Sequence, residues 1–285
     1  MADDRIQKET MRLARGVRAI QDSRLWPPVV QRFVSDSQPV DVVEVLKRLI
    51  CMGHLPEHRR TYHALMQCLL AGRSLDYERS EQLYRAAGKL DLLPIQLILL
   101  RAPALLKPGK NEVLLDLTLR DVPLGRRKSM ARSYDRDVLS RLILDPSIPV
   151  VEILLDNPML VEDDVVRVVA RRPNLPGVLS LVAEHPKWSL RMVVQEAIVS
   201  NPYTPTSLAA AFVPFLNRRQ LTEVSCDGRL HHAIRDVAKI VCDWRGQSSN
   251  VDDDPTVAVY EVIDVRSDSP LDGLSAEPAN TDTEH

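Results

Sequence analysis

Proline, more than any other residue type, limits how this chain can fold. Asp145-Pro146, Asn157-Pro158, Arg172-Pro173, His185-Pro186 and Asn201-Pro202 recur at steps of 12, 15, 13 and 16 residues, so two consecutive steps span 27 to 29 residues. Proline lacks the amide proton of the helix ladder and pushes the residue before it out of the right-handed helical region. Each dipeptide therefore marks a helix end, and the segments between them read as short helices. Helices of that length are marginal alone and need neighbours. A period of two short helices predicts a stack of helix pairs.

The intervening segments carry helical patterning. In VEDDVVRVVARR, Val161, Val165, Val168 and Val169 follow i, i+4, i+7, i+8 spacing. Glu162, Asp163 and Asp164 suit the positive end of that helix, and Arg171 and Arg172 its negative end. SLRMVVQEAIVSN reads as a helix capped by Ser189, with Leu190, Val193, Val194, Ala197 and Ile198 on one face. TPTSLAAAFVPFL reads as one capped by Thr204 with Pro205 at its first position. LHHAIRDVAKIVCDW carries Ile234, Val237, Ala238 and Val241 on one stripe. The first half predicts further helices near Arg5–Asp22, Pro28–Asp36, Val40–Gly53, Glu57–Ala71, Tyr77–Leu90 and Pro94–Arg101, either divergent repeats or a bundle capping the stack.

With VVQEAIVSNPYTP, where one helix ends at Asn-Pro and the next restarts at Thr-Pro, the chain from about Gly125 to Arg245 resembles the HEAT and armadillo class of α-solenoid, in particular the bacterial variant-leucine-rich-repeat style. The resemblance implies architecture rather than activity. Repeat length wanders, and no N-terminal cysteine cluster matches the iron–sulfur module attached to some of those proteins, so no cluster is carried over. The expected fold class is all-α: an irregular α-solenoid of HEAT-like helix pairs over 107–245, a helical N-terminal region over 1–106, and an acidic, mostly disordered tail over 246–285.

Composition bounds the class of function. The chain has 285 residues, 45% hydrophobic and 27% charged but only 4% aromatic, which is globular and Leu/Val-rich. MADDRIQKET has no basic region followed by an apolar run, and no stretch is long and apolar enough to span a membrane. Four scattered cysteines without C-x-x-C spacing fit a reducing compartment, so the expectation is a soluble cytoplasmic protein. Residues 246–285 hold ten acidic residues and one basic; the remainder holds 36 basic and 29 acidic. A mildly basic body thus precedes an acidic tail, an interaction or self-shielding device. Within the tail, TVAVYEVIDV is an apolar exception with strand-like alternation.

Chemistry-bearing clusters are few. Cys51, His54, His58, His63 and Cys68 fall within eighteen residues, but a turn at Leu55-Pro56 splits them and Cys68 points away from His63, so they read as core cysteines and surface histidines rather than a zinc site. Cys226 near His231 and His232 is a formal thiol–imidazole candidate without an oxyanion-hole sequence. No phosphate-cradling glycine loop or hydrolase motif is present, and no catalytic residue, metal ligand or cofactor is assigned. Trp188 and Trp244 read as inter-helix packing residues.

The basic run GRRKSMARSYDR has two readings. If helical, Lys128, Arg132 and Arg136 line one face. Stacking could then align Arg126, Arg127, Lys128, Arg132, Arg171 and Arg172 into a surface for an anionic partner, or the run could be a solvated face paired with Asp121, Asp135 and Asp137. The expected function is a non-catalytic scaffold or adaptor that binds another protein, through an acidic segment, on a curved and partly basic surface using those six residues. The alternative is a nucleic-acid-binding or base-processing HEAT-like protein with an autoinhibitory acidic tail.

Overall fold

The computed structural model describes residues 2–70, 75–109, 115 and 117–248. Residues 246–248, expected in the tail, are helical, and 249–285, with the TVAVYEVIDV segment, lie outside the described residues. Among those described, fifteen α-helices and three short 3-10 turns account for the regular structure, with no named strand.

The first half forms α1 (Ala2–Arg18), α2 (Trp26–Asp36), α3 (Pro39–Met52), α4 (Pro56–Leu70), α5 (Tyr77–Lys89) and α6 (Leu93–Leu99). Prolines stand in the first turn of α2, α3 and α6, where the absent amide proton costs nothing. Asp76 caps α5 by accepting the Arg79 amide at 2.7 Å. α4 packs on α1, α2 and α3, and α3 on α5. Arg79 fastens α5 to the end of α2, donating to Val34 O and Ser37 O, carbonyls that a helix end leaves without partners.

Three helix pairs follow: α7 (Leu124–Met130) with α8 (Arg136–Leu142), α9 (Ile148–Leu155) with α10 (Glu162–Ala170), and α11 (Pro176–Glu184) with α12 (Met192–Val199). α9 packs on α7 and on α11, and α10 packs on α12, so first helices neighbour first helices and second helices neighbour second. Burial gives the register. Leu139 and Leu142 of α8, with Ile143 just after it, correspond to Val165, Val168 and Val169 of α10 and to Gln195, Ile198 and Val199 of α12, all buried. In the other layer Val151, Leu154 and Leu155 correspond to Leu179, Val182 and Ala183. The same register places Arg127 of α7 opposite Val151 and Leu179.

Side chains at the X-Pro dipeptides tie each pair to the one before. Asn157 Nδ2 donates to Ala131 O and Ser133 O, both at 2.8 Å, while its Oδ1 accepts the Met159 amide at 2.8 Å. Asn201 repeats this in the other layer: Nδ2 donates to Val169 O at 2.6 Å and Arg171 O at 3.0 Å, and Oδ1 accepts the Tyr203 amide at 3.0 Å. Both asparagines are buried. Proline ends the helix, and the residue before it, forced out of helical geometry, is free to turn its side chain onto the preceding repeat. His185 uses the same position differently, accepting the Lys187 amide on Nδ1 and facing Asp156 across the repeat at 3.2 Å.

The last helices, α13 (Thr206–Phe212), α14 (Arg218–Cys226) and α15 (His232–Ser248), bring the chain back to its first half. α13 packs on α12 and α6, and α15 on α14 and α3. Residues 102–106 run beside 202–207, with Thr206 N–H bonded to Pro103 O and Leu106 N–H to Pro202 O. Arg245, near the end of α15, donates to Cys51 O, Pro214 O and Leu216 O, and burial lowers its pKa to about 10.

Several boundaries differ from expectation for local reasons. GRRKSMARSYDR is not one helix: the chain breaks after Ala131 and restarts with Asp135 capping α8, so Lys128, Arg132 and Arg136 share no helix face. The carbonyls freed by that break are those Asn157 captures. α12 starts at Met192, not Ser189, because Ser189 is buried and its Oγ donates to His185 O at 2.6 Å. Thr204 does not cap α13 but donates to Ile198 O at 2.7 Å. Val161 stands at the N-cap position of α10, its amide donating to Asp164 Oδ2 at 3.2 Å, and is 46% exposed rather than in the core.

Candidate partner-binding surface

The six cations selected from the sequence separate into two groups. Arg127 is largely buried: its Nη1 reaches both carboxylate oxygens of Asp145, at 2.7 and 2.6 Å, and the Asp145 side chain is 0% exposed. Asp145 Oδ1 also accepts the Ser147 amide at 2.8 Å. Arg171 donates to Leu144 O of the preceding pair and is partly buried, which lowers its pKa against the opposing pull of Asp145. Arg172 donates to Ser200 O at 2.6 Å. These three hold neighbouring helices and turns together through carbonyls and a buried carboxylate.

Arg126 and Arg132 are exposed and Lys128 is half-buried, and none has a carboxylate within ion-pair distance among the described residues. Arg132 Nη1 rests on Lys128 O at 3.0 Å. In register, Lys128 and Arg132 correspond to Glu152 on α9 and Asp156 just after it, so the cations of α7 are not continued along the first-helix layer. Two more exposed arginines lie outside the six selected residues. Arg141 and Arg167 occupy corresponding positions on α8 and α10 and likewise lack an ion pair among the described residues. Arg136, by contrast, is spent on Asp164 at 2.6 Å, which raises its pKa.

The histidine and cysteine candidates do not converge. His63 is not at the surface but sealed where α4 meets the α11–α12 turn, between Trp26 and Phe215 at 6.0 Å each. Its Nε2 stands 3.0 Å from Ser189 Oγ; since that hydroxyl donates to His185 O, the imidazole is the donor in the contact. Burial, and then Arg59, push the His63 pKa down to about 3. No group of three potential ligands fit for a metal occurs among the described residues. Cys226 is exposed with its Sγ 3.7 Å from Ser225 Oγ, while His231 accepts the Ala233 amide and stacks on His232. Trp188 is buried and donates to Leu155 O at 2.8 Å; Trp244 packs against the core beneath Lys47.

His63 makes stability pH-dependent in a stated direction. Its folded pKa lies below the unfolded value near 6.5, so its contribution is complete above that value and is lost as pH falls toward 3. The expected slope is about 1.4 kcal/mol per pH unit over that window. Thermal unfolding of His63→Gln and of the parent chain between pH 7 and 4 should show a shallower decline in the variant; parallel declines would rule the assignment out.

Comparison with protein-family models, with curated proteins and with solved structures finds no match to this chain. No helix among the described residues is long and apolar enough to cross a membrane.

Proposed function

We propose that the chain is a non-catalytic scaffold or adaptor of the cytoplasm, a HEAT-like α-solenoid that binds an acidic segment of another protein through the exposed cations of its first two repeats. The observation that carries this reading is the division of arginines. Arg127, Arg136, Arg171 and Arg172 are spent on the fold, whereas Arg126 and Arg132 in the first-helix layer and Arg141 and Arg167 in the second are exposed, and Lys128 half-buried, all without a carboxylate within ion-pair distance among the described residues. Unneutralised charge of one sign on adjoining helices attracts and orients a partner of the other sign. Stacked pairs present a preformed surface at little ordering cost, which supports binding as their use.

Fluorescence anisotropy with a labelled Glu-rich peptide and with duplex DNA tests the reading. Arg126→Glu with Arg132→Glu should weaken peptide binding at least tenfold and leave the thermal midpoint unchanged. Tighter DNA binding, with an affinity that falls steeply with salt, would replace the protein partner with a phosphate backbone.

A further inference from the structure

A cavity of about 540 Å³ lies where the start of α5 meets the end of α6, and it shares no residue with the cationic surface described above. Tyr77, Ser80, Glu81 and Tyr84 contribute one face of α5, at the i, i+3, i+4, i+7 spacing of a single helix stripe. Leu75, Leu99 and Leu100 supply the apolar wall. A stripe at this spacing ordinarily packs on a neighbouring helix. Here it borders open space, with Tyr77 83% and Leu100 53% exposed, while Leu83, Ala86 and Ala87 carry the buried face of α5. Sites for small molecules have volumes of roughly 300–1,000 Å³ and this mixture of apolar walls with a few polar groups.

Two of the polar groups in the lining are already spent. Ser80 Oγ donates to Asp76 O at 3.0 Å, and Glu81 is paired with Arg85 at 2.6 Å. Arg101 is not spent: it is exposed, and its guanidinium has neither an ion pair nor a hydrogen bond among the described residues. An uncompensated cation therefore borders an apolar hollow lined by two tyrosines.

The backbone beneath that cation is strained. Arg101 follows α6 with a φ of 49°, in the left-handed region where the residue after a helix is most often glycine. Asp91, with a φ of 51° just beyond α5, is of a type that enters this region with help from its short polar side chain. Arginine has no such means, so it holds its position at a cost to stability that glycine would avoid. Strain of this kind collects where a side chain is used.

We propose that this cavity binds a small aromatic carboxylate, with the acid group on the Arg101 guanidinium and the ring among Tyr77, Tyr84 and the leucines. A guanidinium offers a carboxylate two parallel N–H donors, and tyrosine rings stack on an aromatic body. An ammonium group would instead meet Arg101, while the Glu81 carboxylate is already paired.

The probes are cinnamate, cinnamamide and cinnamylamine, titrated into the full chain by isothermal titration calorimetry. Cinnamate should bind at least tenfold more tightly than the amide, and the amine more weakly than the amide. Arg101→Gly should remove the preference for the acid and raise the thermal midpoint, because glycine relieves the left-handed backbone as it deletes the cation. Tyr77→Ala should weaken acid and amide alike and leave the midpoint unchanged. Equal binding of acid and amide, no saturable binding of the acid, or an Arg101→Gly chain that keeps the acid preference would overturn the proposal. A lower midpoint for Arg101→Gly would overturn it as well, by showing that the arginine serves the fold.

Discussion

Asp145→Ala is expected to destabilise the chain by about 3–5 kcal/mol, the usual cost of leaving one partner of a buried ion pair alone. For a unit of this size that corresponds to a fall in thermal midpoint of roughly 10 °C. Arg127 sits in register with Val151 and Leu179, so its guanidinium occupies what is a core position in the other two pairs. Removing the carboxylate strands that charge, exposes Arg171 to a second loss of attraction and deprives the Ser147 amide of its acceptor. Arg127→Met with Asp145→Asn should recover most of the loss, because the charge and its partner disappear together while the Ser147 acceptor stays. Chemical denaturation of both singles and the double decides the matter. Additive losses would mean that the pair is not coupled in the folded state.

The second large effect is expected at Asn157. One side chain there, only 5% exposed, satisfies two carbonyls and one amide, all at 2.8 Å. Asn157→Ala should cost about 2–4 kcal/mol, since each orphaned buried group loses more than the net value of its bond. Asn157→Asp is expected to be at least as costly: the carboxylate can still accept the Met159 amide but has no proton for Ala131 O and Ser133 O. Asn201→Asp should behave alike, because Asn201 has the same pattern of donors and acceptors. If Asn157→Asp were as stable as the parent, the repeats would not be held by these amides.

How much of this was legible in the sequence follows from which forces act locally. Helices in the first half were legible within a few residues because their ends carry proline, glycine or aspartate whose backbone preferences are local; α5, expected over Tyr77–Leu90, spans Tyr77–Lys89. α14 was missed although Asn217 and Gln220 form a capping box, because its buried Leu221 and Val224 are too few to make a strong period. The break at 131–135 could not be read locally, since the carbonyls it frees find their donor in Asn157, 24 and 26 residues away. Cations were the hardest to divide. Nothing beside Arg127 in the chain distinguishes it from Arg126; only the register of α7 on α9 turns one inward to Asp145 and the other to solvent.

In the function proposed above, the exposed cations serve a protein partner while the buried ones serve the fold. The most direct measurement is capture from nuclease-treated source-cell lysate on the full chain and on Arg126→Glu with Arg132→Glu, read by quantitative mass spectrometry. The expected result is a protein held in near-stoichiometric amount by the parent chain and lost from the double variant, with both baits equally folded by circular dichroism. Equal retention by the two baits, or retention only when nucleic acid is left intact, would contradict it.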